Sequence, residues 1–180
     1  SFEGYESGVK SVMLWQKAEA QKVQEMHADG SVSTYFQPVS DVVEVEPQYE
    51  VAMEAALGQR LQMLLSEQSD KPLEAVDYLK SSKAGRSSFL AADAVSGSYK
   101  DSNPGTEEGV QALLKDVVKT KEQFQKTVGY FVDGIAVVDS LRTALRLRPN
   151  YAGWSFVTLD GDTLSQDGVI YRGSQDNGES

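Results

Sequence analysis

Asp41-Val42-Val43 recurs as Asp116-Val117-Val118, and the sequence around the two copies runs in the same order. The step that carries Asp41 to Asp116 also carries Tyr49 to Phe124 and Leu57 to Val132. Each Asp-Val-Val is a β-branched run suited to the start of a strand. Helical spacing follows in both copies, as Tyr49, Ala52, Met53, Ala56 and as Phe124, Thr127, Val128, Phe131. An apolar run comes next, Leu61-Gln62-Met63-Leu64-Leu65 in one copy and Ile135-Ala136-Val137-Val138 in the other, and both read as buried strands.

A second amphipathic helix is expected from Leu73, Val76 and Leu79, with Leu141, Ala144, Leu145 and Leu147 as its counterpart. The step from Leu73 to Leu141 is shorter than that from Asp41 to Asp116, so one strand–helix loop differs in length. Arg86-Ser87-Ser88-Phe89-Leu90 and Ser155-Phe156-Val157-Thr158-Leu159 close each copy as a third strand. Each unit therefore reads strand–helix–strand–helix–strand, a length suited to crossover connections in a small sheet. Val95 to Gly105 is rich in Gly, Ser, Asn and Pro and reads as a surface linker. Two copies are too few for a solenoid. The expected fold is α/β (mixed α+β), a single domain over residues 1–180 made of two pseudo-symmetric lobes, each a small mixed sheet with helices. Lobe one spans about 7–94, the linker about 95–106 and lobe two about 107–174, with 1–6 and 175–180 as frayed ends or stubs of longer segments.

Before the first copy, Val9, Val12, Met13, Gln16, Ala20 and Val23 predict a helix from Ser7 to Met26, with Ser7 as its cap. After the second, Asp160-Gly161-Asp162 predicts a hairpin-type turn and Gly168 to Ser174 an extended segment.

The 180 residues carry a formal charge of -10, which repels nucleic acid and anionic membrane over most of the surface. Any DNA contact must use a local basic patch. There is no cysteine, so disulfides and thiolate metal sites are excluded, in keeping with a reducing cytoplasm. No apolar run approaches the ~18 residues that span a bilayer. The start, Ser1-Phe2-Glu3-Gly4-Tyr5-Glu6, lacks both a signal-peptide pattern and an initiator methionine, as expected of a fragment of a longer protein.

Signs of catalysis are missing. The single histidine, His27, precedes Ala28-Asp29-Gly30 at an expected helix end, with no nucleophile and acid arranged around it. Neither a Gly-x-x-x-x-Gly-Lys-Ser/Thr loop nor Gly-x-Gly-x-x-Gly occurs. Asp160-Gly161-Asp162-Thr163-Leu164-Ser165 begins like a calcium loop but has Leu164 where an oxygen ligand belongs and Ser165 where the glycine belongs. The carboxylate pairs Glu44/Glu46 and Glu50/Glu54 read as solvated faces. No enzyme activity, cofactor or metal is expected.

Three basic clusters run against the acidic trend. Lys80, Lys83 and Arg86 follow one helix, where the dipole favours cations. Lys115, Lys119, Lys121 and Lys126 surround the second Asp-Val-Val, and Arg142, Arg146 and Arg148 line the helix carrying Leu141 and Leu145. Of these, Lys80, Lys83, Arg86, Lys115, Lys119, Lys121, Arg142 and Arg146 are the candidates for DNA contact. So few phosphate contacts predict weak, salt-sensitive binding.

Taken as an ordered set, several motifs resemble the hinge domain of SMC (structural maintenance of chromosomes) proteins, in bacterial or archaeal style. They are Gly4-Tyr5-Glu6-Ser7-Gly8-Val9-Lys10-Ser11-Val12, Val45 to Gly58, Tyr78-Leu79-Lys80 with Gly85 to Leu90, Val157 to Asp162, and Gly168 to Ser174. The resemblance implies two α/β lobes that pair with a second copy into a ring-like homodimer, with no membrane partner. It places Ser87, Ser88, Phe89 and Leu90 against the partner's Gly168, Val169, Ile170, Tyr171, Arg172 and Gly173. The family's Gly-Gly pair at the end of this strand is broken, because Arg172 stands where the first glycine is expected. Asp133 likewise stands opposite Gly58 of the first copy. The implied role is a joint between two coiled-coil arms of a cytoplasmic, nucleoid-associated chromosome condensation and segregation ATPase. ATP and accessory subunits would bind elsewhere in the parent protein. The alternative is a DNA-binding module whose dimerisation is incidental.

Overall fold

The structure, a computed structural model, describes residues 4–24, 36–67, 70–95 and 102–173. His27 and residues 174–180 lie outside the described residues, as does the linker core 96–101. In chain order the elements are α1 (Tyr5–Gln24), β1 (Gln37–Pro38), α2 (Val39–Val42), β2 (Val43–Glu44), α3 (Glu50–Leu57), β3 (Leu64–Ser66), α4 (Asp70–Ser82) and β4 (Phe89–Ala91). The second half brings β5 (Val110–Leu113), α5 (Leu114–Val117), β6 (Lys119–Thr120), α6 (Gln125–Val132), β7 (Ile135–Val138), α7 (Leu141–Leu147), β8 (Ser155–Thr158), β9 (Thr163–Leu164) and β10 (Ile170–Tyr171).

The step from Asp41 to Asp116 is structurally real. It carries α2 to α5, the 3-10 turn Pro47–Tyr49 to Glu122–Phe124, and α3 to α6, end for end. The Asp-Val-Val motifs, expected as strand starts, instead close single helical turns. Val39 and Val42 are buried three residues apart, which suits a helical turn rather than a strand, and only two extended residues follow in each copy. Leu61 and Gln62 are also not strand. Gly58, at φ 53, ends α3 and a 3-10 turn runs Gly58–Gln62, leaving Leu64–Ser66 as the buried strand.

The chain forms two compact units, Ser1–Val42 with Gln59–Ser96, and Val43–Gly58 with Gly97–Ser180. Residues 43–58, part of lobe one by sequence, thus belong with the second unit. Two contacts hold them there: β2 pairs antiparallel with β6, and α3 packs on β8. In the β2–β6 ladder Glu44 sits opposite Lys119, its own repeat equivalent and a favourable charge pair.

In unit 1 the sheet order is β1-β3-β4, with β1 antiparallel and β4 parallel to β3 across the α4 crossover. Its core joins Val12 of α1, Phe36, Leu64, Ala75 and Leu79. Leu73, expected in the apolar stripe, is exposed; α4 buries Ala75 and Leu79 instead, four residues apart. Ser7 lies inside α1 rather than capping it, its Oγ donating to Gly4 O at 3.1 Å. Gln16 holds Phe36 from both sides, donating to its carbonyl at 3.1 Å and accepting its N–H. The end of α4 is a Schellman turn in which Ala84 N donates to Leu79 O at 3.2 Å. Lys83 takes the left-handed position there, at φ 52, where glycine is the usual residue. Lys83→Gly is therefore expected to stabilise unit 1 by up to about 1 kcal/mol, read as a rise in the urea midpoint with an unchanged slope.

In unit 2 the order is β10-β9-β8-β7-β5. β5 is antiparallel and β8 parallel to β7, matching β1 and β4 about β3, and two antiparallel additions, β9 and β10, then extend beyond β8. The core gathers Leu113, Ala136, Val138, Ala144, Leu147, Trp154, Phe156 and Leu164. Three side chains fasten residues 102–108, the end of the linker and the residues just after it, to the rest of this unit. Trp154 Nε1 donates to Ser102 O at 3.0 Å, the Tyr151 hydroxyl to Glu107 at 2.7 Å, and Arg146 to Glu108 O. Ser140 caps α7, accepting Thr143 N at 3.2 Å. Hydrogen bonds from Thr143 and Ser140, with the Arg146 charge, hold the Asp139 carboxyl below the usual aspartate range.

Candidate self-association edges and basic clusters

Each unit's main sheet has two outer strands unpaired on one side among the described residues, β1 and β4 in unit 1 and β5 and β10 in unit 2. At β4 the lead-in Ser87-Ser88 and first residues Phe89-Leu90 are half-buried. The Phe89 ring packs inward on Phe36, with centroids 5.4 Å apart. Ser87 Oγ is buried with no hydrogen-bond partner.

In unit 2 the outer strand β10 is registered on β9 through Ile170↔Leu164 and Tyr171↔Thr163. Val169, Ile170 and Tyr171 are 41%, 51% and 57% exposed, so three consecutive large apolar residues face solvent. Such a row on an unpaired edge is a template for strand addition. The β9–β10 turn is built locally: Gly168, at φ 89, donates to Ser165 O at 2.9 Å, and Arg148 reaches Gln166 O at 3.4 Å. The Ser165 hydroxyl bonds the Asp167 carboxylate and lowers its pKa.

The glycines at the two ends of this strand act within the chain. Gly168 supplies the turn's positive φ. Gly173 crosses the β8–β9 turn so closely that a Cβ there would lie 1.5 Å from Gly161 O, and its N–H donates to Asp162 Oδ1 at 3.0 Å. The backbone contact therefore demands glycine at 173, while Arg172 is exposed and tolerates a side chain. Asp160-Gly161-Asp162 is the turn the sequence predicts, with Gly161 at φ 92 donating to Thr158 O at 2.9 Å.

The basic candidates divide. Lys80 and Arg86 share a surface cavity of about 330 Å³ with Tyr5 and Ser87; Lys83 is exposed but does not line it. Arg86 lies over the Tyr5 ring, 4.4 Å from its centroid. Lys115 and Lys119 line a groove of about 370 Å³ beside Thr120 and Gln125, while Lys121 is exposed outside it. Arg142 is exposed, whereas Arg146 is engaged by Glu108 O and lies near Asp139. Among the described residues no group of three His, Asp or Glu side chains could hold a metal, and no helix is long and apolar enough to cross a membrane. Sequence reasoning missed β9 as a strand and the contact of α1 with residues 85–86; two-residue strands and glycine-mediated contacts leave no periodic signal.

Two mixed α/β units related by an internal repeat, each with outer strand edges unpaired among the described residues, define the class of fold. The sequence profile of the SMC proteins Flexible Hinge Domain matches residues 32–148, and the chain belongs to that family. The chromosome partition protein Smc of Myxococcus xanthus is 32% identical over 98% of this chain. That of Halothermothrix orenii is 28% identical, also over 98%. This chain spans 14% of the length of each of these curated relatives, and matching relatives come from both bacteria and archaea. The fold is similar to a crystallised asymmetric dimer of the Geobacillus stearothermophilus SMC hinge domain. The TM-score is 0.71 and the identity 21%, over 97% of this chain and 80% of that one.

Proposed function

We propose that this chain is the dimerisation hinge of a chromosome-partitioning SMC ATPase, joining two coiled-coil arms so that the complex entraps or moves DNA. The observation that carries this reading is a mismatch between the two repeat copies. In unit 2 the strand β8 has β9 added along its outer edge, whereas its equivalent in unit 1, β4, has no strand there among the described residues. Unit 2 meanwhile carries an apolar outer strand, β10, with one edge free among the described residues. A second copy's β10 fits the missing place beside β4, and a twofold axis makes the contact twice. The orphaned Ser87 hydroxyl at that edge also supports it, since a partner backbone would satisfy the group. On this reading Ser87–Leu90 meets the partner's Gly168–Gly173, catalysis lies in other parts of a longer cytoplasmic, nucleoid-associated parent chain, and ATP and accessory subunits bind there too. Light scattering after size exclusion is expected to give about twice 19.7 kDa, persisting on dilution. A strict monomer at micromolar concentration would sink the proposal.

A second reading, DNA binding with incidental dimerisation, is favoured only by the paired cations Lys80/Arg86 and Lys115/Lys119. Four phosphate contacts give weak binding on a chain of charge -10, lost by ~200 mM salt in mobility-shift titrations. Binding that survives that salt would favour this reading over the first.

A further inference from the structure

The outer strand β4 of unit 1 is three residues long, with β3 on one side only among the described residues. So short an edge needs other restraints to stay extended, and α1 supplies them by two routes. At its start, Gly4 O accepts three donors: Gly8 N at 2.8 Å, Ser7 Oγ at 3.1 Å and Arg86 N at 2.9 Å. Arg86 is thereby fixed two residues before Ser88, whose carbonyl accepts Leu64 N at 2.8 Å and begins the β3–β4 ladder. The guanidinium of Arg86 closes over Tyr5 on the same turn. Further along α1, Gln16 grips both backbone groups of Phe36, whose ring packs on Phe89 of β4 itself.

The first route depends on absent side chains. A Cβ on Gly8 would lie 1.7 Å from Arg86 O, and one on Gly85, at φ 105, would lie 2.7 Å from Ser7 Oγ and 2.8 Å from Gly4 O. Backbone atoms cannot rotate away as a flexible side chain can, so any substituent at Gly8 must displace either α1 or residues 85–88. We infer that the seat of α1 on residues 85–86 positions the β4 edge for a second copy, and that Gly8 and Gly85 are positioning residues of the self-association seam. This rests on the dimerisation reading and adds its preorganisation. A strand already held extended loses less conformational freedom on pairing. Arg86, a DNA-contact candidate by charge, acquires a positioning role.

The test compares two substitutions in the whole 180-residue chain. Gly8→Ala strikes the seat, whereas Val12→Ala hollows the core under the same helix at a fully buried residue. Sedimentation equilibrium would give the dimer dissociation constant, and hydrogen-exchange mass spectrometry the protection of residues 86–91. At temperatures chosen for equal residual stability, Gly8→Ala is expected to raise the dissociation constant at least about tenfold, the equivalent of freeing roughly one backbone residue, and to speed exchange across 86–91. Val12→Ala should do neither. Equal effects from both variants, or unchanged affinity and exchange in Gly8→Ala, would overturn the inference. Should Gly8→Ala fail to fold, Tyr5→Leu removes only the ring beneath Arg86 and carries the same expectation at about two- to threefold. A monomeric wild-type chain would instead defeat the dimerisation reading, and the exchange comparison would still decide whether α1 orders β4.

Discussion

Ile170→Arg is expected to give a soluble, folded monomer. Ile170 is half exposed in the isolated chain, so the substitution removes no core contact and the melting temperature should hold, as for ordinary surface changes of within about 0.5 kcal/mol. At a β4–β10 seam the same arginine is desolvated without a partner, a cost of several kcal/mol, and twofold symmetry imposes it at both contacts. The dissociation constant should then rise by at least about a thousandfold. The check is molar mass by light scattering at about ten micromolar beside a thermal melt. A retained dimer would move the interface away from β10. Phe89→Arg is a poorer probe of the opposite edge, because Phe89 also packs on Phe36 and the unit 1 core, so it would lower stability as well as pairing.

The largest stability effect is expected at Trp154. Its ring is 2% exposed at the centre of the unit 2 core, and its Nε1 fastens the end of the linker through Ser102 O. Trp154→Ala should cost about 3–5 kcal/mol, from lost burial and the cavity left behind. Against a total stability of roughly 5–15 kcal/mol, this lowers the melting temperature by about 6–20 °C for a chain of this size. Trp154→Phe keeps most of the apolar volume and loses the hydrogen bond, so a smaller loss is expected. Equal losses from the two variants in urea melts would mean that the Ser102 bond, and not packing, carries the residue's contribution.

How legible each feature was depended on whether its cause was local. The repeat was visible because β-branched and apolar residues recur at one step, and the structure aligns α3 with α6 residue for residue on that step. The buried strand β7 was legible as a continuous apolar run, and β8 as a short stretch of β-formers around Phe156-Val157. The runs at 41–43 and 61–65 misled because short apolar stretches carry no period long enough to separate a helical turn from a strand. Ser7 carries a capping residue type but sits within the first turn, since Gly4 turns the chain one step earlier.

The sequence by itself determined the class of fold, the repeat, the family and the acidic surface, because side-chain chemistry and spacing are properties of the chain alone. Tertiary structure decided the assignment of residues 43–58 to the second unit, through the β2–β6 ladder and the packing of α3 on β8. It also decided what the glycines do. Gly8 meets Arg86, and Gly173 meets Gly161, at distances no Cβ allows. Neither partner is a neighbour in the chain, and a contact made by the absence of a side chain leaves no trace in composition or period.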